Sequence, residues 1–348
     1  MRARQHIFGL SSVSLVIIFG ALAKFALHMC SAPGYSFFFD EFYTIALSRH
    51  LAFGYVDLPP LVPALVALSR ALLGESLFAV HIVPALAGSA TLVFVCLIAK
   101  EFGGKAFAVA LCALGFIAVP LWLSVDSIFC YDSIDQMVLA GFLYTLVRFL
   151  GTGNRRLWIV LGLIAGIACI TKMTILFMGP GFLVALLISQ YRKDLLTPWL
   201  GAVLCLVIVA PYLLWEYANH WPTLEYWNSY GTQRAYLASI SQYFTNLEVY
   251  MNGFLLPLWA AGLYRVFRPL RGRPSLRGAS GGRPRHCGYL FGWVWVCRRG
   301  RRAGTSIWAA ACGLWIADLL SVGAGIFLGR HDHHCRQNQP YGRLFRQV

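Results

Sequence analysis

Asp40, Glu41 and Asp57 stand just beyond the first long apolar stretch, within FFFDEFYTIALSRHLAFGYVDLPPL from Phe37 to Leu61. An adjacent acidic pair followed by Tyr43, Arg49, a third acid and a Pro-Pro stop is more than a lipid-facing connector requires. A carboxylate can take the proton of a hydroxyl, and a nearby cation can hold a phosphate. The chemistry that this segment suggests is a base held against a phosphate-bearing lipid. Three further groups of residues could serve it. Asp132 and Asp135 are three apart, a spacing that puts them on one helix face, either shaping a sugar or metal environment or capping the start of a span. Lys172 follows an apolar run. Trp221, Glu225, Tyr226 and Trp227 form an aromatic-acidic loop that suits stacking on a sugar, although such residues also collect in interfacial belts.

The elements that must position these residues are set by composition. The 348-residue chain is 58% hydrophobic and only 12% charged, well above the apolar share of soluble domains. It reads as an all-α polytopic membrane protein. Taking about 20 apolar residues per span, about eight spans fall near 7–29, 78–99, 106–125, 136–150, 157–171, 175–190, 197–215 and 246–267. Gly179, Pro180 and Gly181 interrupt the sixth, so the fifth and sixth read as a broken or tilted pair. The formal charge of +15 is no nucleic-acid signature, because the basic residues before position 273 are spread over short loops.

Those basic residues set an orientation. With the N-terminus in the cytoplasm, the inner loops hold Arg2, Arg4, Lys100, Lys105, Arg148, Arg155, Arg156, Arg192, Lys193, Arg265, Arg268, Arg271 and Arg273. The outer side then holds only Arg49, Arg70, Lys172 and Arg234, as the positive-inside rule requires. Most acids fall on the outer side, leaving Glu101 and Asp194 inside; they suggest an outward-facing bowl. Ala21-Leu22-Ala23 resembles a signal-cleavage site, but apolar character continues through Phe25, Ala26 and Leu27, so the first span is expected to be retained.

The first outer loop, 30–77, is expected to carry two helices lying on the membrane. Over 40–53, Phe42, Ile45, Ala46 and Phe53 can share an apolar face while Glu41, Ser48 and Arg49 are more polar. Pro59-Pro60 forces a break before a second helix at 61–73.

The ordered motifs DE, Tyr43, Arg49, GYVD and PPL, then SIFCYDSIDQ at 127–136, ITKMTILFMGPG at 170–181 and PYLLWEYANHWPTLE at 211–225, resemble a known family. It is the polyprenyl-phosphate-dependent glycosyltransferases of the dolichyl-phosphate-mannose protein mannosyltransferase type, glycosyltransferase family 39, with a GT-C fold. The resemblance covers about residues 35–268. It implies transfer of a sugar, with inversion, from a polyprenyl-phosphate carrier to an acceptor hydroxyl of a protein, lipid or glycan at the outer face of a membrane. On that analogy Asp40 occupies the base position, with Glu41 as its support or an acceptor contact. Arg49 and Lys172 are the cations for the donor phosphate, and Tyr43, Asp57, Asp132, Asp135, Trp221 and Glu225 are substrate contacts. Arg49 also suits simple snorkelling to headgroups. Family members commonly read HPP where this chain has Leu58-Pro59-Pro60, so any role of that histidine is absent or supplied elsewhere.

No cofactor is required by this reading, though a divalent metal is compatible with it. The expected location is a bacterial inner membrane. Residues 1–273 form the membrane domain. From Pro274 to Val348 the chain has eleven arginines, no lysine and two acids, Asp318 and Asp332, in a Gly-rich setting with Trp and Cys. That matches neither a solvated tail nor a nucleic-acid module, and a frameshift near 268–280 would account for it. His331, Asp332, His333, His334 and Cys335 have ligand side chains without the spacing of a defined site. The ten cysteines form no C-x-x-C framework.

Two other classes compete with the transferase. A secondary transporter would place coupling acids near the bilayer midplane within repeated halves, and no internal repeat is evident. A decayed enzyme would keep the fold without activity.

Overall fold

The computed structural model describes residues 10–34, 36–188, 199–233, 239–257 and 260. The tail from 274, Arg234, and the ends of the expected spans at 7–29, 175–190, 197–215 and 246–267 lie outside the described residues.

The described chain is built from helices. Four are long and apolar enough to cross a membrane: α1 (Ser12–Ser31), whose apolar stretch continues to Gly34, α4 (Leu77–Glu101), α7 (Tyr131–Thr152) and α10 (Trp199–Ala218). Shorter helices lie between and beyond them: α2 (Phe39–Ser48), α3 (Leu61–Leu73), α5 (Ala106–Ile117), α6 (Pro120–Val125), α8 (Leu157–Cys169), α9 (Ile175–Ile188), α11 (Pro222–Gln233) and α12 (Ile240–Met251). The chain is an all-α polytopic membrane protein.

Local chemistry sets several of the ends. Ser11 caps α1 by accepting from the Ser14 amide, and Ser76 caps α4 by accepting from the Ala79 amide. Gly153 closes α7 in the left-handed conformation, with φ of 68°, which a glycine adopts without steric cost. The stretch 106–125, expected as one span, is two helices. Val119 is extended at the break and Pro120, which lacks an amide proton, opens α6.

α4 is the shared partner of two apolar clusters. One packs α4 against α1, α5 and α6 through Leu92, Cys96, Val109, Phe116 and Trp122; the other packs α4 and α7 against α3, α8 and α10 through Val66, Val80, Leu139, Phe142 and Tyr212. α8 and α10 cross at glycines. A Cβ on Gly162 would come within 2.0 Å of the Gly201 carbonyl oxygen, and one on Gly201 within 2.2 Å of the Trp158 carbonyl oxygen. Only glycine permits this approach, the usual device for packing helices in lipid.

α4 and α7 run in the same direction. At their C-terminal ends Arg148 pairs with Glu101 at 3.1 Å, while their N-terminal ends carry His81 and Asp132. Asp132 and Arg148 are therefore separated by about 24 Å of helix rise.

Candidate functional site

The loop between α1 and α4 folds onto the N-terminal ends of α4 and α7, and Glu41 is the hinge of that contact. Its Oε2 accepts the Phe38 amide at 2.7 Å, which starts α2, and the acids in its first turn suit the positive end of the helix dipole. Its Oε1 accepts the Phe129 amide at 2.7 Å and lies 2.9 Å from His81 Nε2. The side chain is 1% exposed. α2 thus turns Glu41, Thr44 and Ser48 toward the protein and Phe39, Phe42 and Ala46 outward. The helix is shorter than expected, ending at Ser48, and its buried side is the more polar one.

Asp40 projects from the other side of the same first turn, with its side chain exposed. Partial burial first, then the negative charges of Asp132, Asp57 and Glu41, raise its carboxyl above the ordinary aspartate range. Asp57 is brought back toward α2 by the Gly54–Leu58 turn, where the Tyr55 amide donates to the Leu58 carbonyl at 3.1 Å. The Tyr43 hydroxyl donates to Asp57 Oδ1 at 2.6 Å. Burial outweighs that bond and raises the Asp57 carboxyl as well; burial and the Asp57 charge raise the Tyr43 phenol.

Lys172 sits in the turn between α8 and α9. The turn is tight, with Met173 at φ of 61°, and it is tied to the loop between α1 and α4 because the Leu61 amide donates to the Ile170 carbonyl at 3.1 Å. Lys172 Nζ donates to Asp132 Oδ1 and lies 4.8 Å from the centre of the Tyr131 ring. Asp135, one turn further along α7, is buried, and Lys172 and Thr174 are among the groups that act on it. The expected pairing of Asp132 and Asp135 on one helix face is realised, with both directed at the Lys172 turn.

The end of α10 closes the other flank. Glu216 is 2% exposed; the Thr223 hydroxyl lies 2.5 Å from its Oε1, 3.2 Å from the Tyr212 hydroxyl and 3.4 Å from the Tyr55 carbonyl. A Cβ on Gly54 would meet the Trp215 ring at 2.3 Å, so the first loop lies directly on α10. α11 then starts at Pro222, with Tyr226 near enough to act on Tyr43 and Tyr131.

The structure therefore brings Asp40, Tyr43, Asp57, Asp132, Asp135 and Lys172 into one cluster, with Glu41 beneath it. It leaves three expected residues at the margin. Arg49 is exposed at the far end of α2, about 13 Å of helix rise from Asp40. Trp221 is 41% exposed in the α10–α11 turn, and Glu225 is exposed on the first turn of α11. Among the described residues, no group of three or more His, Cys, Asp or Glu side chains is placed to hold a metal ion. His331 to Cys335 lie outside the described residues.

Several polar residues were given no site role in the sequence reading. His81 and Glu216 are single polar residues in apolar runs, a pattern that signals a buried partner without naming it. Arg70 bonds Ser48 Oγ at 2.8 Å and pairs with Glu75, joining α3 to the end of α2. Lys24 is buried against Asp126 at 2.8 Å.

Fold and cluster define an integral membrane protein with an acid-rich cluster between the loop helix α2 and the N-terminal ends of two parallel spans. Residues 57–215 match the family described as dolichyl-phosphate-mannose-protein mannosyltransferase. Lipid A galacturonosyltransferase RgtD of Rhizobium johnstonii is 26% identical over 252 residues, covering 69% of this chain and 51% of that protein. The chain thus spans about half the length of this curated relative.

Proposed function

We propose that the chain transfers a sugar from a polyprenyl-phosphate donor to an acceptor hydroxyl on the outer face of a bacterial inner membrane, with inversion. The observation that carries the reading is the convergence of a carboxylate of raised pKa, Asp40, with the Asp132–Lys172 ion pair at one end of the spans. Inversion in one displacement needs a base on the acceptor side and a cation on the leaving phosphate, on opposite sides of the anomeric carbon.

In this mechanism Asp40 takes the acceptor proton as the hydroxyl oxygen attacks. Lys172 meets the departing phosphate, and its contact with Asp132 holds the ammonium ready while keeping the empty site from carrying a free charge. Arg49 reaches the donor from the rim, at headgroup level. Tyr43 and Asp57 form a hydrogen-bonded pair suited to sugar hydroxyls, while Asp135 is buried at the Lys172 turn and Trp221 and Glu225 stand at the margin for the outer part of a substrate. Glu41 shapes the site from below: its two carboxylate oxygens are taken by backbone amides, so it orients Asp40 without meeting substrate. No step needs a metal, and a divalent ion bound with the donor is compatible with the acidic wall.

The acceptor is a protein, a lipid such as lipid A, or an envelope glycan, and the relative's name makes lipid A and a uronic acid donor the first pair to try. The test compares membranes with and without this gene, supplied with radiolabelled polyprenyl-phosphate sugars, both neutral and uronic. Label is then followed into protein, lipid and glycan fractions. Gene-dependent transfer into one fraction is expected; none in any fraction overturns the reading.

A further inference from the structure

α1 buries three residues in the described structure, Ile17, Lys24 and His28, and two of them are ionisable. Their spacing of seven and four puts them on one stripe. Lys24 and Asp126 are both 0% exposed, with Lys24 Nζ 2.8 Å from Asp126 Oδ2 and 5.1 Å from the centre of the Phe116 ring. Among the described residues neither side chain has a further hydrogen-bond partner. One turn on, His28 Nδ1 lies 3.0 Å from Ser127 Oγ, whose own proton goes to the Leu123 carbonyl at 2.7 Å, so the histidine donates. α4 makes room for the pair: a Cβ on Gly88 would come within 2.2 Å of Asp126 Oδ2.

A helix that served only to anchor the chain would bury small or apolar residues here. A buried ion pair adds little net stability over apolar packing, because both charges lose their hydration, but it fixes one register strongly. What this pair fixes is the Asp126–Cys130 turn. The next residues are Tyr131 and Asp132, which hold Lys172, and the Phe129 amide within the turn holds Glu41, the neighbour of Asp40. Both halves of the acidic cluster therefore hang from one short segment gripped on its other side by α1.

We propose that Lys24 and Asp126 are positioning residues of the transfer site, acting through the Asp126–Tyr131 segment on Asp132, Lys172 and Asp40. Neither touches substrate. The kinetic consequence rests on the glycosyltransferase reading; the structural consequence does not.

Two variants test it in the full chain reconstituted in nanodiscs. Lys24→Met/Asp126→Asn removes both charges with little change of shape. Gly88→Ala keeps both charges but crowds the carboxylate out of place. In each, amide hydrogen exchange over residues 126–132 should speed up by about tenfold or more while the middle of α4 and α7 stays protected. Turnover with a polyprenyl-phosphate sugar should fall by about tenfold or more, with the donor KM within about twofold. A purely structural pair would instead lower the melting temperature of the whole bundle and leave kcat unchanged in the molecules that remain folded. That result, or normal exchange at 126–132 in either folded variant, overturns the proposal. Should the unaltered chain transfer no sugar, the exchange measurement still decides the positioning role, and only the transferase reading fails.

Discussion

Lys172 and Asp132, forty residues apart in sequence, form a partly buried ion pair that joins the α8–α9 turn to the first turn of α7. The pair sits beside the Tyr131 ring, which shields one side of the ammonium from water. Under the proposed reaction this ammonium, already held by a carboxylate, is the cation that meets the donor phosphate.

Lys172→Ala is accordingly expected to weaken use of the polyprenyl-phosphate donor by about 1.5–3 kcal/mol, the worth of a hydrogen bond to a charged group. Some stability should be lost as well, because Asp132 is left without its cation, so donor use is compared in the folded fraction. Donor kinetics equal to those of the unaltered chain would make Lys172 an interfacial anchor.

Asp40→Asn keeps shape and some hydrogen bonding but removes the basic electron pair. Turnover should drop by about 10² to 10⁴ with little change in donor binding. Near-normal turnover would move the search for a base to Asp57 or Asp135.

Glu41→Gln is expected to act on the fold first. A glutamine oxygen can serve only one side of the present arrangement, and its amide group would face the Phe38 or Phe129 amide, donor against donor. The cost should be about 1–3 kcal/mol of stability, read by thermal melting, with a smaller fall in turnover than in Asp40→Asn. A fully stable variant lacking all activity would assign Glu41 a direct chemical role.

The pH profile follows from the raised carboxyl of Asp40. A base is active when deprotonated, so kcat/KM should rise with pH through that raised value, above the ordinary aspartate range. Asp57→Asn removes one of the charges that raise it, yet still accepts from Tyr43. The acid limb should then move to lower pH. The stability sign is the reverse of a salt-bridged acid: the folded state binds the Asp40 proton more tightly than the unfolded state. Its contribution therefore favours the fold below the unfolded pKa and is lost as pH rises through the folded one. An acid limb that Asp57→Asn leaves in place would show that another group titrates.

Cysteine labelling should find position 40 reachable from outside and position 155 from inside, because the site and the Arg148–Glu101 pair lie at opposite ends of α4 and α7. Reversed labelling would reject an outer-face transfer.

Much of the frame was legible because strong local signals set it. The Pro59-Pro60 stop places α3 at 61–73, and the apolar runs place the long helices near their observed positions. Where the reading fell short, the deciding information was remote. The exception is local: Pro120 pushes Val119 to extended backbone and so splits the expected 106–125 span. For α2, periodicity gives two faces but not which one meets lipid, and here the polar face meets protein. Of the site, the acids and Lys172 could be nominated by type, and Asp132 with Asp135 by helical spacing. The partners of Glu41 and Lys24 could not, since the Phe129 amide and Asp126 are 88 and 102 positions away and nothing in a single sequence links them.

The glycine crossing of α8 with α10 bears on the shape of the bilayer itself. α8 has 13 residues and rises about 20 Å, against a hydrocarbon core of about 30 Å. On the proposed orientation, with Arg155 and Arg156 at the inner headgroups, the Lys172 turn would fall short of the outer headgroup plane by several ångströms. Lipid around this flank must thin, or polar substrate must descend into a dimple to reach the lysine. A donor whose tail lies in the outer leaflet would then meet the ammonium with its phosphate drawn inward, and membrane thickness becomes a variable of the reaction.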